Sequence, residues 1–216
     1  MDGQKIVYRG GEGRIEEKKS RFIATVVPVK SEEEALEFIA KMKKKYWDAT
    51  HNCSAFVIGE GARLQRCSDD GEPQGTAGRP MLDVLLGAKI YDAAVVVTRY
   101  FGGTLLGTGG LVRAYSKAAA EGLAACVVLE ISHGSILRIR TDYSDYGKIQ
   151  YLLGTEEIPV LDTEFTDLVE LEVILSEEEL PRIKNAVTEA TGARAGFLSE
   201  KPVTYGIRGK ERTILS

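Results

Sequence analysis

Apolar residues along the first half of the chain follow two different periods. The segment 21–29, RFIATVVPV, is short and rich in β-branched residues, which predicts a strand. The next segment, 31–47, repeats its apolar residues every three or four positions, which predicts a helix. Ser31 and Glu34 stand at the spacing of a capping box, so the helix is expected to begin there.

Alternation of short strands and helices continues to about residue 130. Two β-rich runs flank Gly59 and Gly61, which predicts a hairpin. Pro80 fits the first turn of a short helix. The almost continuous apolar run at 93–101 predicts a strand covered on both faces, and the alanine-rich segment 110–126 predicts a helix.

A second pattern begins near residue 132 and has the order βαββαβ, the ferredoxin-like plan. Strands are predicted at 135–140, 158–165, 168–176 and within 193–207, and helices at 144–154 and 176–192. The hydrophilic end, 208–216, is interpreted as a short loose tail. We therefore predict an α+β protein of two domains, 1–131 and 132–216.

Composition places the chain among globular proteins, with 44% hydrophobic and 28% charged residues. The net charge is -4, so no overall basic charge indicates nucleic-acid binding. Residues 1–130 carry 18 basic and 17 acidic residues, against 10 and 15 in residues 131–216. Three cysteines without a CxxC pair favour a reducing, cytoplasmic compartment. No signal peptide or membrane span is recognisable, so no membrane partner is expected.

Five glycines lie between the buried strand and the alanine-rich helix. Such a loop lets backbone amides approach an anion at a helix N-terminus. The residues expected to line an anion or nucleic-acid site are Arg99, Tyr100, Gly102, Gly103, Gly107, Gly109, Gly110, Arg113 and Lys117. The alternative is that the glycines only allow positive φ angles and close packing. Neither a Walker A loop nor a dinucleotide fingerprint is present, because no lysine follows and Val112 occupies the place of a small residue.

The acidic loop that contains Asp69, Asp70 and Glu72 has three interpretations. Carboxylates could bind a hard cation, they could form turns, or they could pair with Arg99 or Arg113 and hold two loops together. The spacing is not that of an EF-hand, and the turn interpretation is favoured over a metal.

His51, Cys53 and Cys67 could gather on neighbouring strands, but a structural zinc needs four ligands. The hypothesis that Cys53 is a nucleophile with His51 as its base has little support, because buried cysteines are common and no nucleophile elbow is present. We therefore predict no catalytic residue, no metal and no cofactor.

Four separated blocks of the sequence match a known family in the same order: 20–24, 51–59, 69–80 and 95–116. Together they resemble the IMPACT family, specifically its bacterial YigZ-like branch. The resemblance implies a first domain like domain IV of elongation factor G, of the ribosomal-protein second-domain type. It also implies a ferredoxin-like second domain like domain V of that factor. His51, Asn52, Asp69, Asp70, Glu72, Gly75 and Thr76 are motif positions to which the family assigns no role.

The resemblance links eukaryotic members to translational control through binding a regulator. It favours a translation-associated protein that binds RNA, the ribosome with its rRNA, or a translation regulator through the first domain, without DNA sequence specificity. One alternative is a metal-assisted enzyme acting on a small phosphorylated ligand. Another is a protein-interaction module that binds no nucleic acid.

Overall fold

A computed structural model describes residues 3–59 and 61–215. These residues form a mixed α+β fold with five helices, and the chain divides into two compact units, Met1–Leu129 and Glu130–Ser216. Within the described ranges, no helix combines the length and apolarity that crossing a bilayer requires. The predicted α+β class and the five predicted helices are confirmed.

The first unit is built on an antiparallel sheet of order β2-β3-β7-β4-β5. A further pair of short strands, β1 and β6, runs in parallel. The elements are β1 Lys5–Arg9, β2 Gly11–Glu17, β3 Ser20–Pro28, α1 Glu32–Lys45, β4 His51–Ile58, β5 Leu64–Ser68, α2 Gly78–Gly87, β6 Ile90–Tyr91, β7 Ala93–Tyr100 and α3 Thr108–Ala124.

Strand β7 is buried on both faces, as its apolar run predicts. Val95 and Val97 join the main core with residues of α2 and α3, whereas Ala94 packs with Phe56 and residues of α1 on the opposite face. Alternate residues of a strand point to opposite faces, so this one strand supplies both cores. His51 at the start of β4 pairs with Arg99 near the end of β7, and Ser54 pairs with Ser68 at the end of β5. The loops that follow β5 and β7 therefore leave the same side of the sheet.

The second unit has an antiparallel sheet of order β12-β11-β8-β10-β9, and its first six elements follow the predicted βαββαβ order. The elements are β8 Val127–Thr141, α4 Tyr143–Thr155, β9 Val160–Phe165, β10 Val169–Ser176, α5 Glu179–Thr191, β11 Gly196–Arg208 and β12 Glu211–Ile214. The predicted capping box is present, because the Ser176 Oγ accepts from the Glu179 amide and the Glu179 carboxylate accepts from the Ser176 amide.

One expectation about the end of the chain is wrong. Residues 211–214 are not a loose tail but strand β12, which pairs with β11 and is held by an ion pair between Arg212 and Glu179. The two compact units divide between Leu129 and Glu130, and the predicted boundary lies two residues further along the chain. Gly134, near the predicted start of the second domain, lies within strand β8, where its missing Cβ leaves room for the carbonyl of Leu175.

Candidate anion-binding site

A buried ion pair joins the acidic loop to strand β7. The Arg99 Nη1 lies 2.6 Å from the Glu72 Oε1, and the two side chains are only 6% and 3% exposed. The Tyr115 hydroxyl of α3 donates to the same oxygen over 2.7 Å. Of the three interpretations of the acidic loop, the pairing of a carboxylate with Arg99 is therefore present. Removing one partner of a buried pair typically costs about 3–5 kcal/mol, so this contact holds the two loops together.

Aromatic rings surround the Arg99 guanidinium. Its Cζ lies 5.4 Å from the centre of the Phe22 ring and 5.6 Å from that of Phe101, within the range of cation–π attraction. The Ser20 Oγ accepts from the Gly102 amide and, weakly, from the Arg99 Nη2. The Arg99 Nε is buried without a hydrogen-bond partner among the described residues. Arg99 is thus an interior residue and not the surface contact that the sequence suggested.

His51 stands at the edge of this cluster. Its Nδ1 lies 2.8 Å from the carbonyl oxygen of Asp70. A carbonyl can only accept, so Nδ1 carries the hydrogen, and in the neutral ring Nε2 is an acceptor. That Nε2 lies 3.9 Å from the Glu72 Oε2, which is too far for a hydrogen bond.

The Asp69 carboxylate closes the acidic loop onto the start of α2. Its Oδ1 accepts from the amides of Ala77 and Gly78, and its Oδ2 accepts from that of Gly75. Burial alone would raise the pKa of Asp69, but these three amides together outweigh it and lower the pKa. Both oxygens of the Asp69 carboxylate are therefore engaged by backbone amides of the loop.

Asp70, Asn52 and Thr76 make further hydrogen bonds within and around the acidic loop. The Asp70 carboxylate accepts from the Asn52 amide over 2.6 Å and pairs with Lys43. The Asn52 side-chain amide donates to the carbonyl of Tyr46 and accepts from the Thr98 hydroxyl. The Thr76 hydroxyl donates to the carbonyl of Pro73.

An apolar cleft of about 440 Å³ opens above the buried ion pair. Its polar wall contains Glu72, His51 and Arg99, and its other walls are mostly apolar. The apolar lining consists of Pro73, Phe101, Leu105, Leu106 and Leu111. Gly107 and Thr108, at the start of α3, lie at the same cleft, so the helix N-terminus is part of the site.

Helix α3 begins without a side-chain cap. Gly107 is the N-cap residue with φ 72°, and its carbonyl accepts from the Leu111 amide. The amides of Thr108, Gly109 and Gly110 have no hydrogen-bond partner within the described ranges. Three donors and the positive end of the helix dipole therefore face outward, as an anion requires.

Arg113 lies in the second turn of α3, which begins at Thr108. Helical side chains lean toward the N-terminus, and a Cβ added to Gly109 would lie 3.8 Å from the Arg113 Nη1. Lys117 is one further turn along, and both cations are exposed. The structure thus brings Gly109, Arg113 and the free amides together.

Tyr100, Gly102 and Gly103, which were also predicted to line the anion site, have mainly structural contacts. The Tyr100 hydroxyl donates to Asp48 over 2.9 Å, and the Arg21 guanidinium lies over its ring. Gly102 is needed for packing, since a Cβ there would lie 2.1 Å from the carbonyl carbon of Lys19. Gly103 has φ 83° and is exposed in the loop.

Cysteine chemistry is not favoured at this site. Burial, more than any other cause, raises the pKa of the Cys53 thiol to about 12, which suppresses the thiolate. Burial also raises the pKa of Tyr115, with the neighbouring Cys53 adding to it. Cys67 is exposed on β5, and no cluster of three metal-ligating side chains occurs in the part of the chain that the structure describes.

Sequence patterns did not identify Tyr115, Ser20 or the apolar lining of the cleft. Tyr115 follows Leu111 by four positions and therefore looks like an ordinary core residue of an amphipathic helix. Only the packing of α3 over the sheet places its hydroxyl on Glu72.

Two domain families match the chain. The Impact N-terminal domain matches residues 18–123, and a domain of unknown function (DUF1949) matches residues 139–194. IMPACT family member YigZ of Escherichia coli (strain K12) is 39% identical over 139 residues, which cover 63% of this chain and 68% of that relative. The chain belongs to the IMPACT family. The resemblance found in the four sequence blocks is confirmed, together with the bacterial two-domain form.

Other IMPACT proteins agree with this assignment. IMPACT family member YvyE of Bacillus subtilis (strain 168) is 52% identical over 144 residues, so the match spans 67% of this chain and 66% of that relative. A solved structure described as that of a hypothetical protein is 30% identical, covers 92% of this chain and 98% of that chain, and has a TM-score of 0.58. The mixed α+β fold is therefore shared with a protein of known structure.

Proposed function

We propose that this IMPACT family protein is a translation-associated regulator whose first unit binds the phosphates of RNA. The observation that carries the proposal is the N-terminus of α3, where Arg113 lies against Gly109 and three amides have no hydrogen-bond partner among the residues that the structure describes. The link to translation rests on family membership, since the resemblance ties eukaryotic members to translational control. The likeness to elongation factor G remains a prediction.

Physical chemistry favours an anion at this helix end. The dipole places about half a positive charge there, and amides in the first turn are suitable donors to phosphate oxygens. Arg113 and Lys117 add two exposed cations on the same helix. Arg99 adds little net charge, because Glu72 neutralises it inside the protein.

One glycine of the loop is not explained by packing or backbone geometry. Gly102 is required by a close approach and Gly107 by its positive φ. Gly109 has no such φ, and a Cβ there would make only an ordinary contact with Arg113. A bare backbone beside a free amide is what close approach of a phosphate needs.

Salt-dependent binding tests the phosphate contacts. The full-length chain is titrated against a single-stranded RNA by filter binding over a series of salt concentrations. Each phosphate contact contributes about 0.7 to the slope of log K against log[salt] for a single strand. We expect Arg113→Gln with Lys117→Gln to lower the slope by about 1–1.5 and to weaken binding at low salt.

Arg63→Gln is the matched control, because Arg63 is exposed in the hairpin loop at the other end of β4 from His51. It is expected to leave the slope within error of the wild type. Equal weakening by Arg63→Gln, or no RNA binding beyond that of an unrelated protein with the same net charge, would show that the phosphate site is not there. Salt-insensitive capture of a single protein would support the interaction-module alternative instead.

A further inference from the structure

We propose that the cleft beside α3 receives one unstacked nucleotide of a single-stranded RNA, with its phosphate on the free amides of α3 and an amino-bearing base inside. This proposal rests on the proposed function and adds a preference among bases to it. It follows from the two ends of the cleft, which have opposite hydrogen-bonding character.

The dimensions and walls of the cleft suit a base. Its volume of about 440 Å³ falls within the range of small-ligand sites. The Phe101 ring is 46% exposed and Leu105 is 82% exposed, so apolar surface faces the cleft without cover. Single-stranded RNA is commonly bound by placing an unstacked base against an aromatic side chain.

The inner wall of the cleft offers two acceptors beside the Arg99 guanidinium, which also lines the cleft and pairs with Glu72. The Glu72 Oε1 is fully used by Arg99 and Tyr115, whereas Oε2 has no hydrogen-bond donor among the described residues. This side chain is 3% exposed and lines the cleft, so Oε2 is an acceptor that a ligand in the cleft could use. The His51 Nε2, at 3.9 Å from it, is a second acceptor in the neutral ring.

The mouth of the cleft offers donors. The amides of Thr108, Gly109 and Gly110 have no hydrogen-bond partner in residues 3–59 and 61–215, and the Arg113 guanidinium lies beside Gly109. A ligand that matches both ends carries an anion at one end and N–H donors at the other, with a flat apolar body between them. A nucleotide whose base has an exocyclic amino group has that pattern.

Cytosine and uracil provide the sharpest comparison, because they have the same size and differ at position 4. Cytosine carries an amino donor there, whereas uracil carries a carbonyl acceptor that would face the Glu72 Oε2. We expect the full-length chain to bind a cytidine hexanucleotide at least about fivefold more tightly than a uridine hexanucleotide of equal charge.

Variants of Phe101 test the stacking. Phe101→Ala is expected to weaken binding of the cytidine hexanucleotide by about tenfold, and Phe101→Tyr, which keeps the ring, to restore it. Tyr151→Ala is the matched control, because that ring is 79% exposed on α4 of the second unit. The salt slope should be the same in all three variants, because the phosphate contacts remain.

The outcomes separate this proposal from the phosphate site. Equal affinity for the two hexanucleotides, or a silent Phe101→Ala change while the Arg113 and Lys117 effects persist, overturns the nucleotide cleft alone. Failure of every RNA to bind overturns both proposals. A cytidine preference that Phe101→Ala abolishes, with the salt slope unchanged, supports the cleft.

Discussion

At the scale of single residues, the acidic loop is held by Asp69 more than by any other side chain. The Asp69 carboxylate accepts hydrogen bonds from three backbone amides, those of Gly75, Ala77 and Gly78, at and just before the start of α2. Without it these amides lose their acceptor in a partly buried place, where unmet donors are costly. The loop carries Glu72, so the geometry of the cleft depends on this one carboxylate.

Asp69→Asn is expected to lower the free energy of unfolding of the first unit by about 2 kcal/mol, because the amide keeps one acceptor and turns a donor toward the remaining N–H groups. Urea unfolding at pH 7 measures it. Asp83→Asn is the matched control on α2, where the exposed pair with Arg79 is worth about 0.5 kcal/mol or less. A loss below that of the control would contradict the role assigned to Asp69.

The same carboxylate predicts a pH dependence. Its pKa is lower in the folded protein than in the unfolded chain, so its contribution is present above the ordinary value of about 4. Stability is lost as the pH falls below that value toward the folded pKa. We expect Asp69→Asn to flatten the decline of unfolding free energy on the acid side, measured by urea unfolding from pH 6 to pH 3.

Thiol labelling tests the burial of Cys53. Cys67 is exposed, Cys126 is half-buried, and burial raises the pKa of Cys53 to about 12. Because the thiolate is the reactive form, a maleimide at neutral pH should modify Cys67 first and Cys53 only in denaturant. Mass spectrometry of digested samples over time gives the order. Early modification of Cys53 in the native protein would show that the Tyr115–Glu72 cluster is open to solvent.

At the scale of elements, β12 converts the end of the chain into part of the second unit. The Arg212 guanidinium makes two hydrogen bonds to the Glu179 carboxylate and one to the carbonyl of Ile174. The Arg212 hydrogen bonds are the main cause that lowers the pKa of Glu179 to about 2. Strand β12 is therefore fastened to the start of α5 as well as to β11.

Arg212→Gln is expected to destabilise the second unit by about 1–2 kcal/mol at pH 7, allowing for solvent screening of a partly exposed pair. Hydrogen exchange of the β11 and β12 amides should then speed up. The folded pKa of Glu179 is lowered, so its contribution holds above about pH 4.5 and is lost as the pH falls toward 2. Lys210→Gln, which breaks an exposed pair with Glu157, is the control and should leave exchange unchanged.

At the scale of the whole molecule, each unit closes its own apolar core. The clusters of the first unit lie within residues 7–128, and those of the second within residues 136–207. A mutation in one core should therefore act on one unit. The acidic excess of the chain lies in residues 131–216.

Leu171→Ala is expected to remove about 2–5 kcal/mol from the second unit, since Leu171 is 1% exposed. Hydrogen exchange of β10 should accelerate strongly while that of β7 stays as in the wild type. Parallel acceleration of both strands would show that the two units unfold together. Val97→Ala provides the reciprocal variant in the first unit.

The sequence alone was sufficient to predict the features that depend on residues close together in the chain. The periods of apolar residues predicted the helices, most strands and the βαββαβ order, because these depend on neighbours three or four positions apart, or two in strands. The Ser176 box is another such local feature. Strand β12 was missed because an edge strand of four mixed residues has no period of its own; its partner, not its composition, makes it a strand.

Only the tertiary structure decided what the candidate site is made of. Arg99 and Arg113 look alike in sequence, yet one is buried against Glu72 and the other lies free beside Gly109. The sheet brings residues 20, 72, 99 and 115 together from distant parts of the chain. Side-chain contacts between residues far apart in the chain depend on strand order and helix packing. The residue types therefore predicted an anion site, but only the fold determined which cations are exposed beside it.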